Sequence, residues 1–455
     1  MGNSSGIIVK AREIAEHRTP RLDTHELESF VQSFHRRKDE FLGLAARHGS
    51  PLYLLDEKAL LRRAGEFTEA FENVLPGTRV FFAVKSNNHP RVAQVLVGAG
   101  LGLDVSSGVE LKLAVAAGAT EIVFSGPAKS QTELELAVKR ADRVTVLLDS
   151  ITELERLETV AAAAGREIRA GVRITVDDNG IWRKFGIPLA TLRLYMSRAA
   201  RCSFVKLRGL QFHVSWNLSP DNQVLFVAKL GAALRELDKK QRSMIEFIDI
   251  GGGFWPPRGE WMQEAATPEG KLRHAVIENA RPGHEHYRWP AAPIDVFAQT
   301  IAKALKTQIL KDIPCTIYSE PGRWLCHDAM HMLVTVADRK LDDLVITDGG
   351  TNAIGWDRFE LDYFPVINLS RPSLTEHDCY VMGSLCTPHD LWGYSYFGEG
   401  IQAGDILLIP TQGAYTYSLR QHFIKPVPPV VSMTDGTIVD THTSTMDSVR
   451  PERTS

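Results

Sequence analysis

Alternation constrains this chain more than any other feature. Between residues 79 and 321, eight short β-rich runs (79–85, 101–107, 121–127, 144–150, 169–175, 207–215, 246–253 and 315–321) are separated by segments of helical periodicity, such as 109–117 and 132–138. Strands joined through helices run parallel, because the crossover returns the chain to the same end of the sheet. Eight such units predict an α/β chain built on a (β/α)8 TIM-like barrel, with a doubly wound open sheet as the alternative. The unusual residues favour the barrel. Lys85, Asp104, Arg173, His213, the Gly251-Gly252-Gly253 run, and Glu320 with Arg323 all fall at C-terminal strand ends, the face on which barrels carry their chemistry.

The helical rhythm stops after residue 330, and the runs 330–337, 344–347, 379–382 and 405–410 read as short strands with turns between them. The expected layout is therefore an N-terminal segment (1–50) packing on the β-domain, a barrel over 51–325, a β-rich sandwich or barrel domain over 326–440, and a frayed polar tail from 441 to 455. Residues 27–46 form an amphipathic segment, and residues 51–56 are expected to lead a strand into the barrel. The stretch 255–292 is rich in Pro, Gly, Trp and charge and is long for a connection. It either covers the active site or is a solvated insertion with a helix of its own. His284 and His286 within it resemble a metal pair, but with no third ligand in view no metal is expected.

Composition narrows the function classes. The 455 residues are 44% hydrophobic and 24% charged with a net charge of -3, which offers no basic field for nucleic acid or anionic lipid. Five scattered cysteines (202, 315, 326, 379 and 386) have no paired metal spacing and fit reduced thiols. The apolar run 7–9 is too short for a signal peptide, and Gly6 stands where a myristoylation signal wants Ser or Thr. A cytoplasmic protein with no membrane contact is expected.

The chemistry-bearing residues each have two readings. Lys85 ends a hydrophobic strand, where an ammonium either snorkels to solvent or serves as a Schiff-base lysine that condenses with a carbonyl such as the aldehyde of pyridoxal 5'-phosphate. The triple glycine either makes a tight turn or exposes backbone N–H groups to a phosphate. His213 is a core histidine or a flat ring for stacking on an aromatic cofactor. Glu320 either pairs with Arg323 or faces a pyridine nitrogen and keeps it protonated.

In chain order, the segments Ala83-Val84-Lys85, Leu103-Asp104-Val105, Phe212-His213-Val214, Asp249 through Phe254, Glu320-Pro321-Gly322-Arg323, Asp348-Gly349-Gly350, Gly383 through Asp390 and Gly413-Ala414-Tyr415 resemble the fold-type III pyridoxal-phosphate decarboxylases. That alanine-racemase-like group includes ornithine, arginine and diaminopimelate decarboxylases, and the resemblance covers about residues 50–425. It implies that Lys85 carries the cofactor, His213 stacks on its ring and Glu320 binds its pyridine nitrogen. It further implies that Gly252, Gly253, Arg323 and Tyr415 hold its phosphate, with Asp104 and Arg173 also at the cofactor. Arg323, Arg358 and Asp390 would meet the substrate. Cys386 would reach in from a second subunit and protonate the carbon left by carbon dioxide, which implies a homodimer. Glu320 points away from the racemases, which place an arginine at that nitrogen, and Lys85 with Cys386 points away from a non-catalytic relative of the antizyme-inhibitor kind.

The departures from the pattern fall where substrate would be recognised. Thr387 follows the cysteine where ornithine decarboxylases have aspartate and diaminopimelate decarboxylases glutamate, and Ser215-Trp216 replaces a Gly-Ser pair, which turns a small phosphate-side residue into a bulky indole. Cysteine followed by Thr-Pro resembles the branch acting in siderophore, antibiotic or carrier-bound amino-acid pathways. Trp182, Trp216, Trp255, Trp324, Trp356 and Trp392 lie near motifs, either as packing or as walls for a larger, less cationic amino acid. The expectation is a pyridoxal-phosphate-dependent amino-acid decarboxylase whose small-molecule substrate is free or carrier-bound.

Overall fold

The computed structural model describes residues 4–16, 18–176, 180–277, 285–355 and 361–439. They fall into two compact units, one made from residues 59–254 and 292–326, the other from residues up to 58, 255–291 and 327 onward.

The first unit is the barrel. Among the described residues its parallel strands are β1 (Arg79–Ala83), β2 (Gly102–Val105), β3 (Ile122–Phe124), β4 (Val144–Leu148), β5 (Ile168–Thr175), β6 (Val205–Gln211), β7 (Phe247–Asp249) and β8 (Thr316–Ser319). Neighbours pair in the order β4-β3-β2-β1-β8-β7-β6-β5, and β5 pairs again with β4, which closes the sheet. Each strand matches one apolar run, and all but β5 stop short of its end, which leaves Lys85, His213 and Glu320 just past the last ladder pairs.

Side chains fill the barrel interior. Phe81, Val123, Leu147, Phe247 and Tyr318 form one buried cluster, and the rings of Phe247 and Tyr318 stack with centroids 4.5 Å apart. Gly209 makes room for this stack: a Cβ there would lie 2.3 Å from the Phe247 ring. Three successive crossover helices, Gly108–Ala116, Gln131–Lys139 and Ile151–Ala163, begin on Ser107, Ser130 and Ser150, each accepting a backbone N–H of the first turn. Such caps contribute about 1 kcal/mol each and fix where each loop ends and each helix starts.

The second unit is β-rich. Its spine is the strand Met330–Leu341, which pairs with Leu344–Thr347, Ile406–Ile409 and Leu52–Leu55. The ladder continues through Glu376–Met382, Leu391–Phe397 and Ile367–Asn368 back to Ile406–Ile409, so this sheet closes too. Leu52–Leu55, expected to enter the barrel, instead lies between Met330–Leu341 and Val430–Ser432. All four of its side chains are buried; a strand apolar on both faces needs cover on both sides, and this sheet supplies it. The amphipathic segment 27–46 becomes two helices, Thr24–His35 and Lys38–His48, whose Leu27, Val31, Phe34, Phe41 and Leu44 share a core with Leu52, Leu54, Leu333 and Leu408.

The 255–292 stretch contributes a hairpin, Glu260–Met262 with Tyr287–Trp289, and a helix, Pro268–Val276. Trp261 from the hairpin packs edge-on against Phe30, ring centroids 5.0 Å apart. His286 Nε2 lies 2.8 Å from Glu376 Oε1, so this histidine is hydrogen-bonded to a carboxylate; His284 lies outside the described residues. Among the described residues no helix is long and apolar enough to cross a membrane.

Candidate active site

Lys85 sits in a 3-10 turn, Val84–Ser86, directly after β1. Its Nζ donates to Asp104 Oδ2 at 3.0 Å, and the other oxygen of Asp104 accepts from Ser125 Oγ. Asp104 is fully buried, while the lysine side chain keeps 37% of its exposure. The carboxylate therefore holds the amine at the rim, and solvent or a ligand can still reach it.

Across the barrel mouth, Glu320 follows β8 and Asp249 ends β7. Gln211, which ends β6, donates Nε2 to Glu320 Oε2 at 3.2 Å, and Asp249 Oδ1 accepts the Gly251 N–H at 2.8 Å. Burial pushes Asp249 up to about 7, against the pull of hydrogen bonds from Glu320 and Gly251. Burial also raises Glu320 well above the carboxylate range, helped by the charges of Asp104 and Asp249. Two hydrogen-bonded carboxyls in a dry site hold one proton between them. Beyond each other, Glu320 Oε1 and Asp249 Oδ2 take no hydrogen bond from any group among the described residues, so the pair can receive an N–H from a ligand.

His213 follows β6. Its Nδ1 accepts the Gly252 N–H at 3.1 Å, which places the imidazole proton on Nε2, 3.1 Å from Ser215 Oγ. Burial, together with the charges of Lys85 and Arg173, lowers its pKa well below the usual value and keeps the ring neutral. The three glycines let the 251–253 turn thread between this histidine and Glu320. A Cβ on Gly252 would lie 2.2 Å from Glu320 O; Gly253, at φ 84°, would meet Val214 O at 2.0 Å. Arg323 opens the short helix Arg323–Cys326, and Gly322 beside it packs on Ser86 in the Lys85 turn.

Lys85, Asp104, His213, Gly252, Gly253, Glu320 and Arg323 thus gather at the C-terminal end of the barrel. Arg173 joins them through β5: its charge acts on His213, and its guanidinium lies 4.3 Å from the Phe185 ring centroid. Arg173 and His213 also line a cavity of about 410 Å³. Cys386 (exposed) and Tyr415 (half-buried, φ 57°) belong to the β-rich unit. Arg358 lies outside the described residues.

Asp390 requires a correction. It is 1% exposed; one carboxylate oxygen accepts from Thr351 N and Oγ1 at 2.7 and 2.9 Å, the other from Leu385 N at 2.6 Å. It anchors the 383–390 turn and has no oxygen left for a substrate. Asp249, Gln211 and Ser125 are site residues that the sequence reading passed over. The signal for Gln211 and Asp249 was present, since each is a polar residue closing an apolar strand.

A family model described as the pyridoxal-binding domain of pyridoxal-dependent decarboxylases matches residues 61–327. The L-glutamyl-[BtrI acyl-carrier protein] decarboxylase of Niallia circulans is 27% identical over 424 residues, covering 86% of this chain and 90% of that one. The diaminopimelate decarboxylase of Bacillus subtilis is 26% identical over 420 residues, covering 87% and 89%. Among solved structures, diaminopimelate decarboxylase from M. jannaschii in complex with L-lysine superposes with a TM-score of 0.71 at 22% identity, covering 86% of this chain and 88% of that one. Lysine/ornithine decarboxylase from Vibrio vulnificus with cadaverine gives 0.68 at 19% identity, covering 87% and 96%. At these identities the structures establish a shared fold.

Proposed function

We propose, from the premise that this chain belongs to the pyridoxal-dependent decarboxylases, that its substrate is an amino acid presented on a carrier, from which it removes the α-carboxylate. The chain is a carboxy-lyase and its cofactor is pyridoxal 5'-phosphate. The residues of the barrel mouth fit that cofactor. Glu320 Oε1 is a buried acceptor that takes no hydrogen bond beyond Asp249 among the described residues, matched to a pyridinium N–H, and neutral His213 offers a flat face. Bound there, the cofactor supplies an electron sink for the pair left behind when carbon dioxide departs.

The chain's own groups do the rest. Lys85 carries the cofactor, and Asp104 fixes the direction of its amine. Glu320 is the member of the pair that would face the ring nitrogen, and Gln211 and Asp249 hold its carboxyl in place. The Gly253 N–H and Arg323 would hold the phosphate, while the Gly252 N–H is given to His213 Nδ1. Cys386, contributed by a partner subunit in a homodimer with shared sites, returns a proton to the α-carbon.

The observation that carries the carrier reading is the placement of Asp390. A free diamine or diaminopimelate needs an acidic partner for its distal ammonium. In the turn after Cys386 the sole carboxylate is Asp390, buried with both oxygens taken, and position 387 is threonine. The named activity of the Niallia circulans relative, on an amino acid attached to an acyl-carrier protein, supports the same reading. The test is carbon dioxide release from a panel of free L- and D-amino acids beside L-glutamyl and other aminoacyl groups loaded on an acyl-carrier protein. Release from a loaded carrier alone is expected. Comparable turnover of free diaminopimelate, lysine or ornithine overturns the carrier reading and leaves the decarboxylase.

A further inference from the structure

The cavity of about 410 Å³ beside His213 is not lined by Lys85. It opens between the segment that follows β5 and the segment that follows β6, with the helix Asp221–Arg235 beneath. Trp182 and Phe185 form one wall and Trp216 the other. Leu225 and Phe226 form the floor, where the Phe226 ring stacks on Phe212 with centroids 4.3 Å apart and anchors the floor to the barrel.

Three of these apolar residues are exposed at one mouth: Trp216 by 64%, Leu225 by 56% and Trp182 by 41%. Such a cluster, rimmed by polar groups, marks a binding surface. Trp216 also holds a left-handed backbone, φ 52°, a strained conformation for a bulky residue. The next residue fixes that conformation. Asn217 donates its N–H to Gly253 O at 2.9 Å and its Nδ2 to Val214 O at 2.7 Å, so the turn that sets the glycine loop also presents the indole.

Among the described lining residues the charged groups are Arg173 and Lys229; Asp177 and Asp178, between Val176 and Trp182 in the chain, lie outside the described residues. Lys229 stands exposed on Asp221–Arg235 and forms no ion pair among the described residues. Asn222 and Ser215 supply polar groups between the indoles and the rim. A suitable ligand is long, apolar in its middle, able to hydrogen bond along its length, and anionic at its outer end.

We propose that this cavity seats the phosphopantetheine arm of a carrier, with its apolar and amide segments between Trp182 and Trp216 and its phosphate at Lys229. The proposal rests on the carrier reading given above and adds where the arm lies. It places the thioester end at His213, the wall that the cavity shares with the Lys85 cluster.

The test uses full-length protein reconstituted with pyridoxal phosphate and two probes, 4'-phosphopantetheine and pantetheine, followed by tryptophan fluorescence and calorimetry. Lys229→Glu should weaken phosphopantetheine binding about tenfold or more, as loss of a charge-assisted contact predicts, with little effect on pantetheine. Trp182→Ala should weaken both probes alike while leaving the visible absorption of the bound cofactor in place. With a loaded carrier, both variants should raise KM and leave kcat close to wild type. If neither probe binds, or both variants bind as wild type does, while a loaded carrier is still decarboxylated, the arm lies elsewhere and the carrier reading survives. If free amino acids alone are turned over and neither probe binds, both fall together.

Discussion

Lys85 Nζ and Asp104 Oδ2 are 3.0 Å apart, and of the two only the carboxylate is wholly buried. The pair therefore has unequal consequences when broken. Removing the lysine strands a buried charge, whereas the lysine alone still reaches solvent.

Lys85→Ala should abolish both the visible absorption of protein-bound cofactor and all decarboxylation. It should also destabilise the cofactor-free protein by about 1–3 kcal/mol, because Asp104 is left with Ser125 as its side-chain donor. Adding Asp104→Asn to Lys85→Ala should recover part of that loss, since the stranded charge disappears. Urea denaturation of the two proteins decides this; a double variant no more stable than Lys85→Ala would show that the buried carboxylate is not the cause.

The carboxyl pair at the barrel mouth predicts a pH dependence. Asp249, ordinarily near 3.8, is pushed up to about 7, and Glu320 is raised further. A folded state that binds protons more tightly than the unfolded chain is favoured at low pH. The stabilising contribution of Asp249 is complete below its ordinary value and is lost as pH rises toward 7. His213 has the opposite sign, since its lowered pKa removes stability as pH falls below 6.5. Asp249→Asn should flatten the loss of stability between about pH 4 and 7 in cofactor-free protein and leave the acid side of the His213 effect unchanged. Thermal melts at stepped pH test it; a profile identical to wild type would remove Asp249 from the titration.

The glycine loop predicts a graded response. Gly253, Gly118 and Gly165 all have positive φ, but a Cβ on Gly253 would lie 2.0 Å from Val214 O, while the other two have nothing within 4 Å. Alanine at Gly118 or Gly165 should cost about 1 kcal/mol, the backbone penalty alone. Gly253→Ala should cost more, roughly 2–4 kcal/mol, and weaken cofactor binding, because the backbone itself must move. Equal losses at all three positions would mean that the loop relaxes freely around the added carbon.

How much of this the sequence reveals depends on whether the information is local. The eight barrel strands are legible because strands buried on both faces read as continuous apolar runs, and polar residues at their ends stand out. Lys85, Asp104, His213 and Glu320 are visible for that reason. Gln211 and Asp249 carry the same mark but play their part through Glu320, a contact made across 109 residues in the case of Gln211. Leu52–Leu55 is apolar at every position, so nothing local says which sheet it joins. Asp390 looks available beside Cys386 until Thr351, 39 residues away, takes one of its oxygens. The cavity is the least legible feature, since Trp182, Trp216 and Leu225 meet only when two loops and a helix converge.

Cys386 and Asp390 separate chemistry from support within one turn. Cys386 is exposed, so Cys386→Ala should leave stability within about 0.5 kcal/mol of wild type. Its thiol is the proposed proton donor to the α-carbon, so the variant should retain the bound cofactor, turn over more slowly, and release a larger share of products from protonation at the wrong atom, such as those of decarboxylation-dependent transamination. Asp390→Ala should show the same product error for a different reason. Thr351 N and Leu385 N would lose their shared acceptor, at a cost of about 1–3 kcal/mol for the buried amides left unpaired, and the turn that carries Cys386 would shift. Product ratios and denaturation midpoints measured on both variants make the distinction. A normal ratio in Cys386→Ala removes the thiol from the mechanism. A normal ratio in Asp390→Ala, with stability lost as expected, means that the turn does not set the position of the thiol.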